Sequence, residues 1–305
     1  MDDRPVIPPP PTEERCYRHP SEVTGVHCTR CGRPICPECM IAAPVGHQCP
    51  TCVAEARREF RQGPGRRIAV ANAKAVSVTN VILVILILVF VLEMVQSGLG
   101  SILAGPSSRE AVDVGAMFPP FVALGQSWRL FTSMFVHFGV FHLLVNAYSL
   151  FILGNILEGE LGRPRYLVLY LLAGLAASAA SYAFGPVFQV SAGASGAIFG
   201  IFGGVFAVNY RRRHTAQGAV AMRAMAQLIV LNLIINVLLH SYLDWRAHVG
   251  GAVAGLIIGF GYNAPGRDTA RRAAAIAGCA VVIVAVVAMV VVRTDQIRQL
   301  MGLPG

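Results

Sequence analysis

The sequence predicts an all-α polytopic membrane protein preceded by a small cysteine-rich domain. Three observations carry that prediction. Of 305 residues, 55% are hydrophobic and only 13% charged, where a soluble domain carries about a quarter charged. The charges lie mostly before Lys74 or in short clusters between long apolar runs. Seven of the eight cysteines fall within residues 15–55.

Residues 1–14 form a Pro-rich, charged tail with nothing to bury, expected to be disordered. The first 15 residues are polar, so no cleavable signal peptide is expected. Residues 15–55 carry Cys16-x2-His19, Cys28-x2-Cys31, Cys36-x2-Cys39 and Cys49-x2-Cys52. Four pairs at this spacing supply eight ligands, enough for two tetrahedral zinc sites. Disulfides are the competing reading, but the topology below places this segment in a reducing cytosol. Closed four-ligand sites leave no open position, so the expected cofactor is structural zinc, with no metal for catalysis. The segment has little core of its own, so metal would be needed for it to fold. A basic linker, 56–75, follows with Arg57, Arg58, Arg61, Arg66, Arg67 and Lys74.

The membrane domain is expected at 76–293, with a short tail at 294–305. A bilayer core takes about 20 apolar residues per helix. Spans are expected at Val76–Val95, Gly139–Glu158, Tyr166–Phe184, Ser195–Tyr210, Met225–Leu243, Trp245–Tyr262 and Ala273–Val292. Arg163, Arg165, Arg211–Arg213, Arg223, Arg267, Arg271 and Arg272 all fall on the side of the basic linker under this reading. Basic loops stay cytoplasmic. The N-terminus is therefore expected in the cytoplasm, the C-terminus outside, and the protein in the plasma membrane. The net charge of +9 is accounted for by these clusters, so no nucleic-acid partner is expected.

Polar groups inside a bilayer are costly and usually face the bundle interior. His142 and Asn146 are four apart, on one helical face. Gly193-Ala194-Ser195-Gly196 opens the fourth span, and His248 lies in the sixth. A serine hydroxyl is a weak nucleophile until a base takes its proton, and histidine is the usual base. Gly196, Gly200 and Gly204 on one span and Gly251 and Gly255 on another let two backbones approach closely. That approach would bring Ser195 near His248. The fourth span is short, so its N-terminus would lie below the surface beside a wet cavity. Free N–H groups at that terminus suit a developing oxyanion. Asp244 reads either as a partner of His248 or as the N-cap of the sixth helix, and the cap is favoured. Asn232 and Asn236 read as interhelical hydrogen-bonding groups, and Cys279 as packing. His-Glu-x-x-His is absent, and Asp244 is the one candidate membrane aspartate, so metallo- and aspartyl protease chemistry fit poorly.

Trp128-Arg129, His137, HLLVN (142–146), Gly154, Leu157-Glu158, Gly162, GASG (193–196) and AHVGGAVAG (247–255) together resemble the rhomboid family of intramembrane serine proteases, over residues 118–262. The resemblance implies a six-helix core with an added seventh helix. It implies Ser195 as nucleophile, His248 as base, and His142, Asn146 and the Ser195 N–H as the oxyanion hole. The implied partners are the lipid bilayer and single-span membrane proteins, cleaved near the outer face. Phe199 replaces a tyrosine that some relatives pack under the histidine. The rival reading is a non-catalytic rhomboid-like binder in trafficking or quality control; a transporter ranks third. The cysteine-rich segment resembles a B-box-type finger. This resemblance implies interleaved sites, one of Cys16, His19, Cys36 and Cys39 and one of Cys28, Cys31, Cys49 and Cys52, with His47 an alternative to Cys49. A cytoplasmic protein partner is the expected use of the finger.

Overall fold

The computed structural model describes residues 13–43, 45–62, 76–98, 101–238 and 243–303. The chain divides into two compact units, Met1–Ala75 and Val76–Gly305. The first 12 residues of the expected tail and linker residues 63–75 lie outside the described residues.

The N-terminal unit is built around its cysteines. Cys16, Cys28, Cys36, Cys39, Cys49, Cys52 and Ile35 are its buried core. Strands β1 (Ile41–Ala42) and β2 (His47–Gln48) pair antiparallel, with Ile41 opposite Gln48. Helix α1 follows, Pro50–Gln62. It runs past residue 55, so residues 56–62 continue this unit as helix rather than opening the linker.

The second unit is all helical in its long elements. These are α2 (Val78–Ser97), α3 (Val140–Leu161), α4 (Arg163–Phe184), α5 (Ser195–Arg211), α6 (Ala216–Leu238), α7 (Trp245–Tyr262) and α8 (Asp268–Leu300). Each overlaps an expected span, although α2 starts two residues later than expected, α6 nine residues earlier and α8 five residues earlier. Helix α8 extends to Leu300, so most of the expected C-terminal tail is helix. The expected end of the fifth span reaches residues 239–242, which lie outside the described residues. Among the described residues, α2, α3, α4 and α8 are long and apolar enough to cross a bilayer on their own. With four such helices this is a multi-pass membrane protein. Helices α5 and α7 are glycine-rich and pack closely on each other, while Val249 and Val253 of α7 stay exposed.

Helix α4 is the centre. In its most apolar window 56% is buried, against 11% for the outer helix α8. Ala173, Ala176, Ala177, Ala179 and Ala180 keep α4 slim where α5 and α7 press on it. A methyl group on Gly200 would lie 2.1 Å from the Ala173 Cβ, and one on Gly255 would lie 1.9 Å from the Gly200 carbonyl oxygen. These are distances that no side chain tolerates, so the backbones are in contact there.

A carboxylate anchors the other side of the bundle. Glu158 of α3 accepts from Ser77 Oγ (2.8 Å), Val78 N (2.9 Å), Thr79 N (2.9 Å) and Thr79 Oγ1 (2.8 Å). Those N–H groups belong to the first turn of α2, which has no acceptors of its own. Gly154, in a widened turn at Leu150–Gly154, leaves room for Thr79 and Tyr166.

Gly255→Val should therefore destabilise the membrane unit by roughly 1–3 kcal/mol or more through overpacking, read as a lower melting temperature in detergent. Gly159→Ala, which meets nothing within 4 Å, is the matched control and should melt like wild type or slightly higher. Equal melting of both variants would refute close backbone packing of α5 on α7.

Candidate active site and metal centres

Ser195 is the first residue of α5, and His248 lies one turn into α7. His248 Nε2 lies 3.0 Å from Ser195 Oγ. The glycine contact sits directly beside this pair: a Cβ on Gly251 would stand 2.0 Å from the Gly196 carbonyl oxygen. Phe199, one turn after Ser195, stacks on the His248 ring with centroids 4.2 Å apart and planes 13° apart. The imidazole is thus held from one face by an aromatic ring and at its edge by the serine. For Nε2 to accept the hydroxyl proton, the neutral ring must carry its own proton on Nδ1.

Helix α3 brings two further polar side chains to the loop before Ser195. His142 Nδ1 accepts from the Phe138 N–H at 3.3 Å. A neutral His142 then carries its proton on Nε2, as a donor. Asn146 is buried on the same face, and its Nδ2 has no acceptor among the described residues. Both point at Gly193, whose φ is +126°. A Cβ there would fall 2.9 Å from His142 Nε2 and 3.6 Å from Asn146 Nδ2. Glycine is required twice over, by its backbone angle and by the space where these donors converge.

Asp244 is the N-cap of α7, its Oδ1 accepting from Ala247 N at 3.3 Å. Its other oxygen accepts from Ser191 Oγ at 2.9 Å and from the Ser181 hydroxyl. One carboxylate thus ties α4, the loop before Ser195 and the start of α7 together. Glu93 does comparable work from α2. It is fully buried and accepts from the His137 N–H with both oxygens, at 3.1 and 3.3 Å. The His137 ring in turn packs edge-on against His142, with centroids 5.1 Å apart. The sequence reading did not single out Glu93, whose signal was an acidic residue inside the first apolar run. In the long loop, Arg129 donates to the Val112 (2.5 Å) and Ala116 (3.0 Å) carbonyls and lies over the Trp128 ring. The side chains of Asn232 and Asn236 lie outside the described residues.

In the N-terminal unit, Cys16, His19, Cys36 and Cys39 form one cluster, and Cys28, Cys31, Cys49 and Cys52 another. In each, the ligand atoms lie within 4.8 Å of one another. His47 is in β2 and belongs to neither. Tetrahedral zinc with thiolates at about 2.3 Å requires sulfurs about 3.8 Å apart. Cys31 and Cys49 Sγ lie 3.8 Å apart, and Cys39 Sγ lies 3.6 Å from His19 Nδ1. Burial alone raises the Cys28 thiol, but backbone N–H groups of Cys49, Cys31 and Arg30 outweigh it and hold the group down to about 6. Burial and the neighbouring thiols push Cys39 up to about 11 and Cys52 up to about 12, so each cluster pairs a sulfur poised as thiolate, the form that binds metal, with one that metal binding would have to deprotonate. The donor sets and spacings are compatible with zinc.

The geometry defines a class: a helical membrane protein with a Ser–His pair between two glycine-packed helices. The family model described as a rhomboid domain matches residues 124–265, which include His142, Asn146, Ser195 and His248. The chain is 36% identical over 162 residues to RHOMBOID-like protein 1 of Arabidopsis thaliana, covering 52% of this chain and 40% of that protein. Against the rhomboid protease GluP of Bacillus subtilis the figures are 35% over 152 residues, 49% and 29%. Against the putative rhomboid protease YdcA of the same species they are 35% over 139 residues, 46% and 69%. The chain thus spans less than half the length of the first two of these relatives. It belongs to the rhomboid family. The N-terminal unit, α2 and α8 lie outside the residues matched by the family model.

Asp244→Ala should cost about 1–3 kcal/mol, by removing a cap and leaving partly buried donors without an acceptor. Asp244→Asn keeps an oxygen at the cap and should cost less. An unchanged melting temperature for the alanine variant would disprove the clamp.

Proposed function

We propose that this chain is an intramembrane serine endopeptidase that hydrolyses peptide bonds of single-span membrane proteins. The observation that carries the reading is the 3.0 Å contact between His248 Nε2 and Ser195 Oγ, within a rhomboid domain and beside two converging donors. Ser195 Oγ attacks the scissile carbonyl carbon while its proton passes to His248 Nε2. Negative charge on the carbonyl oxygen is met by His142 Nε2–H, Asn146 Nδ2 and the Ser195 backbone N–H, which is free at the start of α5. The imidazolium then protonates the leaving amine, and an acyl-enzyme remains on Ser195. Water, deprotonated by His248, hydrolyses that ester and restores the hydroxyl. No catalytic cofactor takes part.

The pattern of basic loops supports a cytoplasmic N-terminus, an outer C-terminus and residence in the plasma membrane. Ser195 and His248 then lie toward the outer face, where substrates would be cut. In the cytoplasmic N-terminal unit, Cys16, His19, Cys36 and Cys39 hold one structural zinc and Cys28, Cys31, Cys49 and Cys52 a second. The metal would supply the rigidity that a core of six cysteines and one isoleucine lacks. Its exposed surface would receive a cytoplasmic protein.

The test is cleavage of a single-span reporter by purified protein in liposomes. Wild type should cleave, and Ser195→Ala and His248→Ala should lose at least about 10³-fold in rate while melting normally. His142→Ala or Asn146→Ala should lose about 10²–10³-fold. Absence of cleavage across several reporters, with capture of the reporter helices instead, would replace this reading with the non-catalytic binder.

For the N-terminal unit, metal analysis of the full chain should return two zinc ions. A strong chelator should abolish its folded near-ultraviolet and amide-exchange signals while the membrane unit keeps its helicity. Cys28→Ser and Cys36→Ser should each remove one ion. Retention of fold after complete metal removal would contradict the structural role.

A further inference from the structure

A cavity of about 260 Å³ lies between α4, α7 and α8. Its walls are apolar, with Ala176 and Ala180 from α4, Val253 and Ile257 from α7, and Val281 and Ala285 from α8. At one end it is lined by Trp245 and Arg246, the first two residues of α7, and by Met289 of α8. The Arg246 guanidinium lies 5.0 Å over the half-exposed Trp245 ring. One turn beyond Met289, Arg293 donates to the Gly185 carbonyl at 2.8 Å, so a second cation stands at the same end of α8.

We propose that this groove binds one acyl chain of a phospholipid, with the headgroup phosphate on Arg246. Length supports an acyl chain. Trp245 to Ile257 is twelve helical steps, about 18 Å, close to the roughly 15 Å depth of one leaflet of a 30 Å hydrocarbon core. Width excludes a helix. A helix 10 Å across over the same length occupies on the order of 1,400 Å³, about twice the 750 Å³ of empty space in the groove with its open side included. Chemistry fixes the direction, since an aromatic and an arginine at the mouth match headgroup depth, and an apolar interior refuses a free phosphate. Helix α8 lies outside the matched rhomboid domain, so this chain builds the groove with an element the matched core does not contain. The opposite face of α7 carries His248, and Val249 and Gly250 of the groove follow it directly. An occupied groove therefore backs the helix that holds the imidazole. The site stands independently of any proteolytic activity.

The experiment is native mass spectrometry of the full chain released from detergent, with added phosphatidylglycerol or neutral diacylglycerol. Wild type should retain one phosphatidylglycerol, and bind it about tenfold better than diacylglycerol, the worth of one charge-assisted hydrogen bond. Arg246→Gln should bind the two equally. Ala285→Phe, which fills the groove from α8, should lose the retained lipid. Val284→Phe, on the exposed side of α8, should keep it. Should Ala285→Phe fail to fold, the loss of headgroup preference in Arg246→Gln decides alone. Equal lipid retention by all four proteins would mean annular lipid only and would overturn the proposal. So would a second copy of the chain, or a reporter helix, found in the groove in place of lipid.

Discussion

Backbone touches backbone between α5 and α7, and the rest of the membrane unit is arranged around that contact. Carbonyl oxygens of Gly196 and Gly200 occupy the places where side chains of Gly251 and Gly255 would begin. Inside a bilayer there is no hydrophobic drive between apolar helices, so close van der Waals packing must hold them. Close packing demands small residues, and small residues make poor lipid-facing surface. The two helices are accordingly flanked by α4, whose run of alanines accepts them on one side. The same contact fixes Ser195 and His248, because each is within three residues of a touching glycine. Stability of the bundle and geometry of the candidate site are one constraint.

Three carboxylates then do what apolar packing cannot, which is to fix loops and helix ends. Glu158 holds the first turn of α2, Glu93 holds the turn that leads into α3, and Asp244 holds the start of α7 to α4 and to the loop before Ser195. Each accepts from backbone N–H or hydroxyl groups, and Glu158 has in addition an ion pair with the partly exposed Arg163 at 3.6 Å. At Glu158 two N–H and two hydroxyl donors replace the hydration that burial removes. Such contacts are directional, so they specify where a helix begins to within a residue. The packing of glycine on glycine specifies how near the helices lie, and the carboxylates specify their register.

Much of this was legible in the sequence because bilayer physics is strict. Apolar length located seven helices to within several residues, and Gly196, Gly200 and Gly204 on one span with Gly251 and Gly255 on another announced the close contact. Four-residue spacing put His142 and Asn146 on one face, and the paired cysteines announced two clusters. What was not legible depends on contacts distant in sequence. Nothing local indicates that Glu93 meets the His137 N–H, 44 residues away, or that Ser181 and Ser191 meet Asp244. The end of the N-terminal unit was also misjudged: the basic character of 56–62 suggested a linker, whereas these residues complete a helix that starts beside Cys52. Charge there describes the solvent-facing side of a helix and not its absence. The last helix was underestimated for the same reason, since Arg293, Asp295 and Arg298 ended the apolar run without ending the helix.

The shortness of α5 gives the site its depth. Its 17 residues measure about 25 Å, less than the roughly 30 Å of a hydrocarbon core. The chain ahead of Ser195 is therefore irregular where a helix would ordinarily be needed, and irregular backbone at depth must find its partners in protein or water. It finds them in protein. Ser191 and Met117 exchange both backbone bonds at 2.9 Å, Gly193 N donates to the Ser133 carbonyl at 2.8 Å, and the Ser191 hydroxyl reaches Asp244. The long loop between α2 and α3 and the start of α7 thus each hold part of this segment. With those backbone groups satisfied, the Asn146 amide at Gly193 is left without an acceptor among the described residues, the state that the proposed oxyanion role requires. A helix long enough to span would need no such loop.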